Sequence, residues 1–158
     1  MKSKLNKIEF ELRLHENIKI GLPKLKLSIF SIFTAFGENS KPFYGLFDNS
    51  NFNLTKNNII FPTYLILRGK YDIEKGIIKV NYKIEPSSKF HIYWMKFFPF
   101  IFIMIFNLFF FLTENRNFQS YILIHIFIAF IYFYSKWKSK IEFEKFEQNF
   151  REIFEIIE

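Results

Sequence analysis

The chain has no cysteine, and among its 158 residues only five are glycine, five proline and three histidine. Without cysteine there are no disulfides, no thiolate metal sites and no cysteine nucleophile. Five scattered glycines form no glycine-rich phosphate loop, and no serine lies in a Gly-x-Ser-x-Gly elbow. His15 and His91 are far apart and belong to no cluster with the spacing of metal ligands. The carboxylates gather on the last segment of the chain, where a solvated face is the plain explanation. No catalytic, cofactor-binding or metal-binding residue nominates itself, so the expected function is non-enzymatic.

What the chain has in excess is phenylalanine, 25 residues within a sequence that is 50% hydrophobic. Phe, Ile, Lys and Asn share A- and T-rich codons, so base composition explains the excess without any function. The formal charge of +7 has a similar account. Many lysines flank the apolar runs, where they set topology and face anionic lipid. No basic segment with interleaved aromatics stands apart from those runs, and nucleic acid is not an expected partner.

Two apolar runs dominate. Residues 97–113, FFPFIFIMIFNLFFFLT, include thirteen Phe, Ile or Leu and no charge. Such residues favour insertion into a bilayer by roughly 5 kcal/mol in total, before the costs of Pro99 and Asn107. Residues 118–135 are weaker, with ten Phe, Ile or Leu alongside Gln119, His125 and three tyrosines. The short polar break between them suggests a two-helix transmembrane hairpin. Lys79, Lys83, Lys89 and Lys96 precede it, and Lys136, Lys138 and Lys140 follow it. The positive-inside rule then puts both termini in the cytoplasm. Tyr93, Trp94, Tyr132, Tyr134 and Trp137 fit an aromatic belt on that same side.

The remainder is read from periodicity. Ile8, Phe10, Leu12 and Leu14 alternate with Glu9, Glu11 and Arg13, which predicts a half-buried strand. Residues 24–36 fit a short helix or a strand, and are too short to span a bilayer. Strands are predicted over 43–47, 51–55, 64–71 and 77–84. Glu74-Lys75-Gly76 suits a type I turn closed by a left-handed glycine. At the C-terminal end Phe143, Phe146, Phe150, Ile153 and Ile157 form one apolar stripe, reinforced by Phe154. The opposite face is acidic, so a protein surface suits it better than a lipid one. No Gly or Pro follows Phe118, so the second apolar run and the tail are compatible with one continuous helix.

Lys41 to Met95 carries KPFYGLFDNSNFNL and PTYLILRGKYDIEKGIIKVNYKIEP. It resembles a group of small uncharacterised bacterial membrane proteins in which F-x-G and F-x-I strands precede a strand bearing a G-K pair. The features fall here on Phe43, Gly45, Phe52, Leu54, Gly69 and Lys70. The resemblance implies an N-terminal β domain followed by apolar helices, and it brings no site residue.

The candidate site is an intramembrane polar pair, Asn107 and His125, which a hairpin places at similar depth. Such a pair is either a proton or ligand site, or an interhelical hydrogen bond; without a carboxylate the second is preferred. The expectation is an α+β membrane protein: a small antiparallel β-meander, a two-helix transmembrane hairpin, and a C-terminal amphipathic helix packing on the sheet. Its parts are a β-rich cytoplasmic domain over 1–92, the hairpin over 93–137, and the terminal helix over 138–158. The expected partners are the lipid bilayer and either a membrane protein or a second copy of the chain, with no cofactor. The expected role is a membrane-anchored interaction or regulatory module of a bacterial cytoplasmic membrane. An accessory subunit of a transporter and a lipid- or small-ligand-binding domain are the alternatives.

Overall fold

A computed structural model describes residues 1–22, 41–57, 65–74, 76–113 and 118–158. The segment 24–36 and the polar break at 114–117 lie outside the described residues, and the turn at 74–76 is described only in part. The described chain forms two compact units. The first joins Met1–Ser87 to Lys145–Glu158, and the second is Ser88–Glu144.

The first unit begins with a two-residue strand, β1 (Lys2–Ser3), and a helix, α1 (Lys7–Asn17). The helix corrects the strand expected from the alternation at 8, 10, 12 and 14. Asn6 accepts from the Glu9 backbone N–H, and the Glu9 carboxylate accepts from the Asn6 backbone N–H, so a capping box starts a helix there. Phe10 and Leu14, four apart and on one helical face, are fully buried, whereas Ile8 and Leu12 are exposed.

Six further strands follow, among the described residues: β2 (Ile18–Ile20), β3 (Phe43–Phe47), β4 (Asn51–Lys56), β5 (Leu65–Glu74), β6 (Ile77–Pro86) and, at the far end of the chain, β7 (Ile156–Ile157). The sheet order is β2-β3-β4-β5-β6-β1-β7. β3 to β6 form an antiparallel meander, while β2 pairs parallel with β3. The expected small antiparallel meander is therefore the centre of a seven-stranded mixed sheet. Gly76, at φ +77°, supplies the left-handed residue before β6.

Two helices complete the described chain, α2 (Lys89–Leu112) and α3 (Phe118–Ile153). Ser88 caps α2, accepting from the Phe90 N–H. The 36 residues of α3 are continuous, so the second apolar run and the expected terminal helix lie on one helix. There Phe146 and Phe150, with Phe154 just beyond the helix, bury their rings against Phe43, Phe52, Leu54, Leu67, Ile78 and Val80 of the sheet. Phe10 of α1 meets Phe154 and Tyr71 at 5.1 and 5.0 Å between ring centroids. Burying one such ring contributes about 1.5–3 kcal/mol, so this aromatic cluster dominates the stability of the unit.

The two chain ends clasp each other. Arg13 donates to the Ile153 carbonyl at 2.6 Å and to the Glu155 carboxylate at 2.7 Å. The Ser3 hydroxyl donates to the Phe154 carbonyl at 2.7 Å, and the Lys4 N–H to the Glu155 carbonyl at 3.1 Å. Carbonyls that α3 leaves unpaired at its end are thus satisfied by the N-terminal segment. Glu155, at φ +47°, turns the chain into β7 beside β1.

The two-helix transmembrane hairpin is not supported. Among the described residues only α3 is long and apolar enough to cross a membrane. Within α2 the apolar stretch among the described residues is Lys96–Leu112, shorter than such a span. That stretch rises about 25 Å, short of the ~30 Å hydrocarbon core. The two-pass topology, and the placement of both termini in the cytoplasm that was drawn from it, lose their support with the hairpin.

Candidate functional site

In the second unit, α2 and α3 each turn one half-buried stripe inward. On α2 it runs through Pro99, Ile103, Phe106, Asn107 and Phe110; on α3 through Tyr121, Ile124, His125 and Ile128. Spacings of three and four residues put each set on a single helical face. Phe106 lies near His125 and Phe110 near Tyr121, at 5.9 and 4.6 Å between ring centroids. The neighbouring positions off these stripes are exposed Phe, Ile and Leu.

Both polar residues singled out in the sequence fall on these stripes and face each other. Asn107 Nδ2 lies 3.4 Å from His125 Nε2, and it also donates to the Ile103 carbonyl at 2.8 Å. A third residue, not singled out in the sequence, completes the group: the Tyr121 hydroxyl donates to Asn107 Oδ1 at 2.5 Å. His125 Nδ1 lies 2.9 Å from the Tyr121 carbonyl. A carbonyl only accepts, so the ring proton sits on Nδ1 and Nε2 accepts from Asn107. Tyr121 precedes His125 by four residues, the spacing of neighbours on a helix face, and that was the signal available in the sequence.

The chemistry of this group follows from its hydrogens. Both amide hydrogens of Asn107, the Tyr121 phenol and the imidazole N–H each have an acceptor, and no carboxylate takes part. Such a closed ring fixes two helices against each other in apolar surroundings, and it offers neither an activated nucleophile nor a path for a proton. Among the described residues no group of three His, Asp or Glu could hold a metal ion.

The motif residues of the first unit serve packing. Phe52 lies opposite Gly69, and Gly45 opposite Leu54. A Cβ on Gly69 would strike the Phe52 ring, and one on Gly45 would strike the Asn53 carbonyl. The two glycines thus admit a ring and a backbone that no larger residue would allow. Lys70 points to the opposite face of the sheet and is exposed.

Two phenols anchor the core at its margins. Tyr71 donates to the Asp48 carbonyl at 3.0 Å, and Tyr82 to the Glu147 carboxylate at 2.9 Å. Burial, then the charges of Glu11 and Asp48, pushes the Tyr71 phenol up to about 12. Burial, then the hydrogen bond to Glu147, does the same to Tyr82, up to about 12. In the β3–β4 turn, backbone N–H groups of Ser50 and then Asn51 hold the Asp48 carboxyl below its ordinary range.

No protein-family model matches the chain, and no curated protein sequence or solved structure matches it either.

Proposed function

We propose that the chain is a non-enzymatic interaction module attached to a bacterial cytoplasmic membrane. The one long apolar helix, α3, enters the lipid, and the sheet unit stays in the aqueous phase. One observation supports this above all others: the apolar helix α3 leaves almost none of its most hydrophobic stretch buried. Leu123, Ile126, Phe127, Phe130 and Phe133 are all well exposed, whereas a core helix of a water-soluble protein hides such residues. Trp137 and Tyr134, followed by Lys136, Lys138 and Lys140, suit the headgroup boundary at the end of that stretch.

The two alternatives draw less support. Asn107 and His125 are paired within the chain rather than offered to a partner helix, which disfavours a transporter subunit built on them. The space beneath Leu65, Leu67 and Val80, where a ligand would enter, holds the rings of Phe146, Phe150 and Phe154. Alkaline carbonate washing of membranes from expressing cells tests the proposal. The full chain is expected to stay with the vesicles; its release into the wash would remove the basis of the reading.

A further inference from the structure

The outer face of the sheet, opposite the aromatic core, has a charge arrangement that stability alone does not favour. Strand register places Lys2 directly across from Lys79, and Arg68 directly across from Lys83. Like charges on facing positions of neighbouring strands are destabilising, and a sheet selected only to fold would set opposite charges there. Lys70 lies on the same face two positions beyond Arg68, across from Asn81, and Asn53 lies across from Arg68. Arg68, Lys70, Asn53, Asn81 and Lys83 are all exposed.

The acids of this face do not neutralise it. Glu74 is held by Lys79, and Glu85 by Lys83 at 2.8 Å. Asp72, across from Lys79, remains against Lys2, Arg68 and Lys70. The surface is therefore cationic and edged with carboxamide donors, a set suited to phosphate oxygens.

Covalent connection selects the occupant. α3 runs unbroken from its apolar stretch into Lys145–Glu158, the part of the chain that belongs to the sheet unit. If that stretch is in lipid, as proposed above, the same helix keeps the sheet unit near the headgroups, where its effective concentration is high.

We propose that this face, centred on Arg68, Lys70 and Lys83, docks on anionic phospholipid headgroups of the membrane that holds α3. The inference rests on the membrane reading and adds to it a lipid charge preference.

The absence of cysteine makes a direct test straightforward. Leu46, exposed on the same face and in register with Asn53, is changed to Leu46→Cys in the full chain and labelled with a fluorophore. The protein is reconstituted into vesicles of phosphatidylcholine, or of phosphatidylcholine with about one-third phosphatidylglycerol, each with a trace of headgroup spin-labelled lipid. Quenching is expected to be at least threefold stronger in the anionic vesicles. It should fall to the neutral level in about 0.5 M salt, where screening is short-ranged, or with Arg68→Glu and Lys70→Glu together. Arg68→Gln alone removes the like charge across from Lys83 without setting a second carboxylate beside Glu85, so quenching should drop with little change in the unfolding temperature of the sheet.

Equal quenching in the two vesicle types, with the protein floating with both, would overturn the inference and leave membrane attachment standing. Protein that floats with neither would instead overturn the membrane reading. Equal quenching together with retention of a labelled single-stranded oligonucleotide, lost in the double variant, would assign the face to nucleic acid and also overturn the proposal.

Discussion

The two units use one residue in opposite ways. In the sheet unit Phe10, Phe43, Phe150 and Phe154 are at most 1% exposed, whereas in the helical unit Phe100, Phe109, Phe111 and Phe133 are 65% exposed or more. Both units are rich in phenylalanine, so its count cannot tell them apart; whether the rings are buried or exposed can. The contrast runs along α3 itself, whose early phenylalanines point outward and whose last two turns feed the core of the sheet. A water-facing domain hides its rings and shows lysine. A surface of bare rings belongs against lipid or another apolar partner.

The largest expected effect tests that contrast directly. Phe150→Ala opens a cavity among Phe43, Phe52, Tyr82 and Phe154, and should cost the sheet unit about 3–5 kcal/mol. Phe130→Ala, on the exposed part of α3, should change it by less than about 0.5 kcal/mol. Denaturant unfolding of the detergent-solubilised chain, followed by near-ultraviolet dichroism, measures both. Equal effects would erase the distinction between the units.

A middle-sized effect belongs to the helical unit alone. His125→Leu removes the acceptor for Asn107 and should loosen the α2–α3 pairing by about 0.6–2 kcal/mol. Vesicle attachment and the sheet unit should be unaffected. Thermal unfolding of the purified chain reads the change. An unaltered unfolding temperature of the helical unit would mean that the Asn107–Tyr121–His125 ring holds nothing together.

The smallest effect separates the units by pH. Tyr71 and Tyr82 hold their protons up to about 12 in the folded sheet, against an ordinary phenol value of 10.0. A folded value raised above the unfolded one stabilises fully below the unfolded value, and the gain is lost as pH rises through the folded one. The sheet unit should therefore weaken progressively from about pH 10 to beyond pH 12. Tyr82→Phe should flatten part of that decline. Ultraviolet titration of the tyrosinates, with stability measured in parallel, checks the direction; a sheet unit that gained stability over that range would contradict it.

Legibility in the sequence depended on how far each signal extended. The β5–β6 pair was visible because Ile78, Val80, Tyr82 and Ile84 alternate with Lys79, Asn81 and Lys83 over a long run, and Gly76 marks the turn. α1 was misread because apolar residues at 8, 10, 12 and 14 satisfy a period of two while also including the four-residue spacing of Phe10 and Leu14. The Asn6-x-x-Glu9 capping pattern was the deciding sign. β1, β2 and β7 span only two or three residues. No periodicity can be read in so few, and they are strands only because a partner strand lies beside them. In the candidate site, Asn107 and His125 were visible as polar residues in apolar runs. Tyr121 offered only its four-residue spacing from His125, since a tyrosine in such a run otherwise looks like any amphipathic ring.

The sequence by itself determined where the apolar stretches lie, which residues form the meander, and that the tail carries a stripe of aromatic rings. These are local properties, set by side-chain chemistry repeated at the period of a helix or a strand. Only the tertiary structure decided that β2 runs parallel to β3, that the two ends of the chain close on each other through Arg13 and Ser3, and that Lys2 and Arg68 face other cations across the sheet. Those arrangements depend on partners up to about 150 residues away, and no local pattern encodes a pairing between segments so far apart.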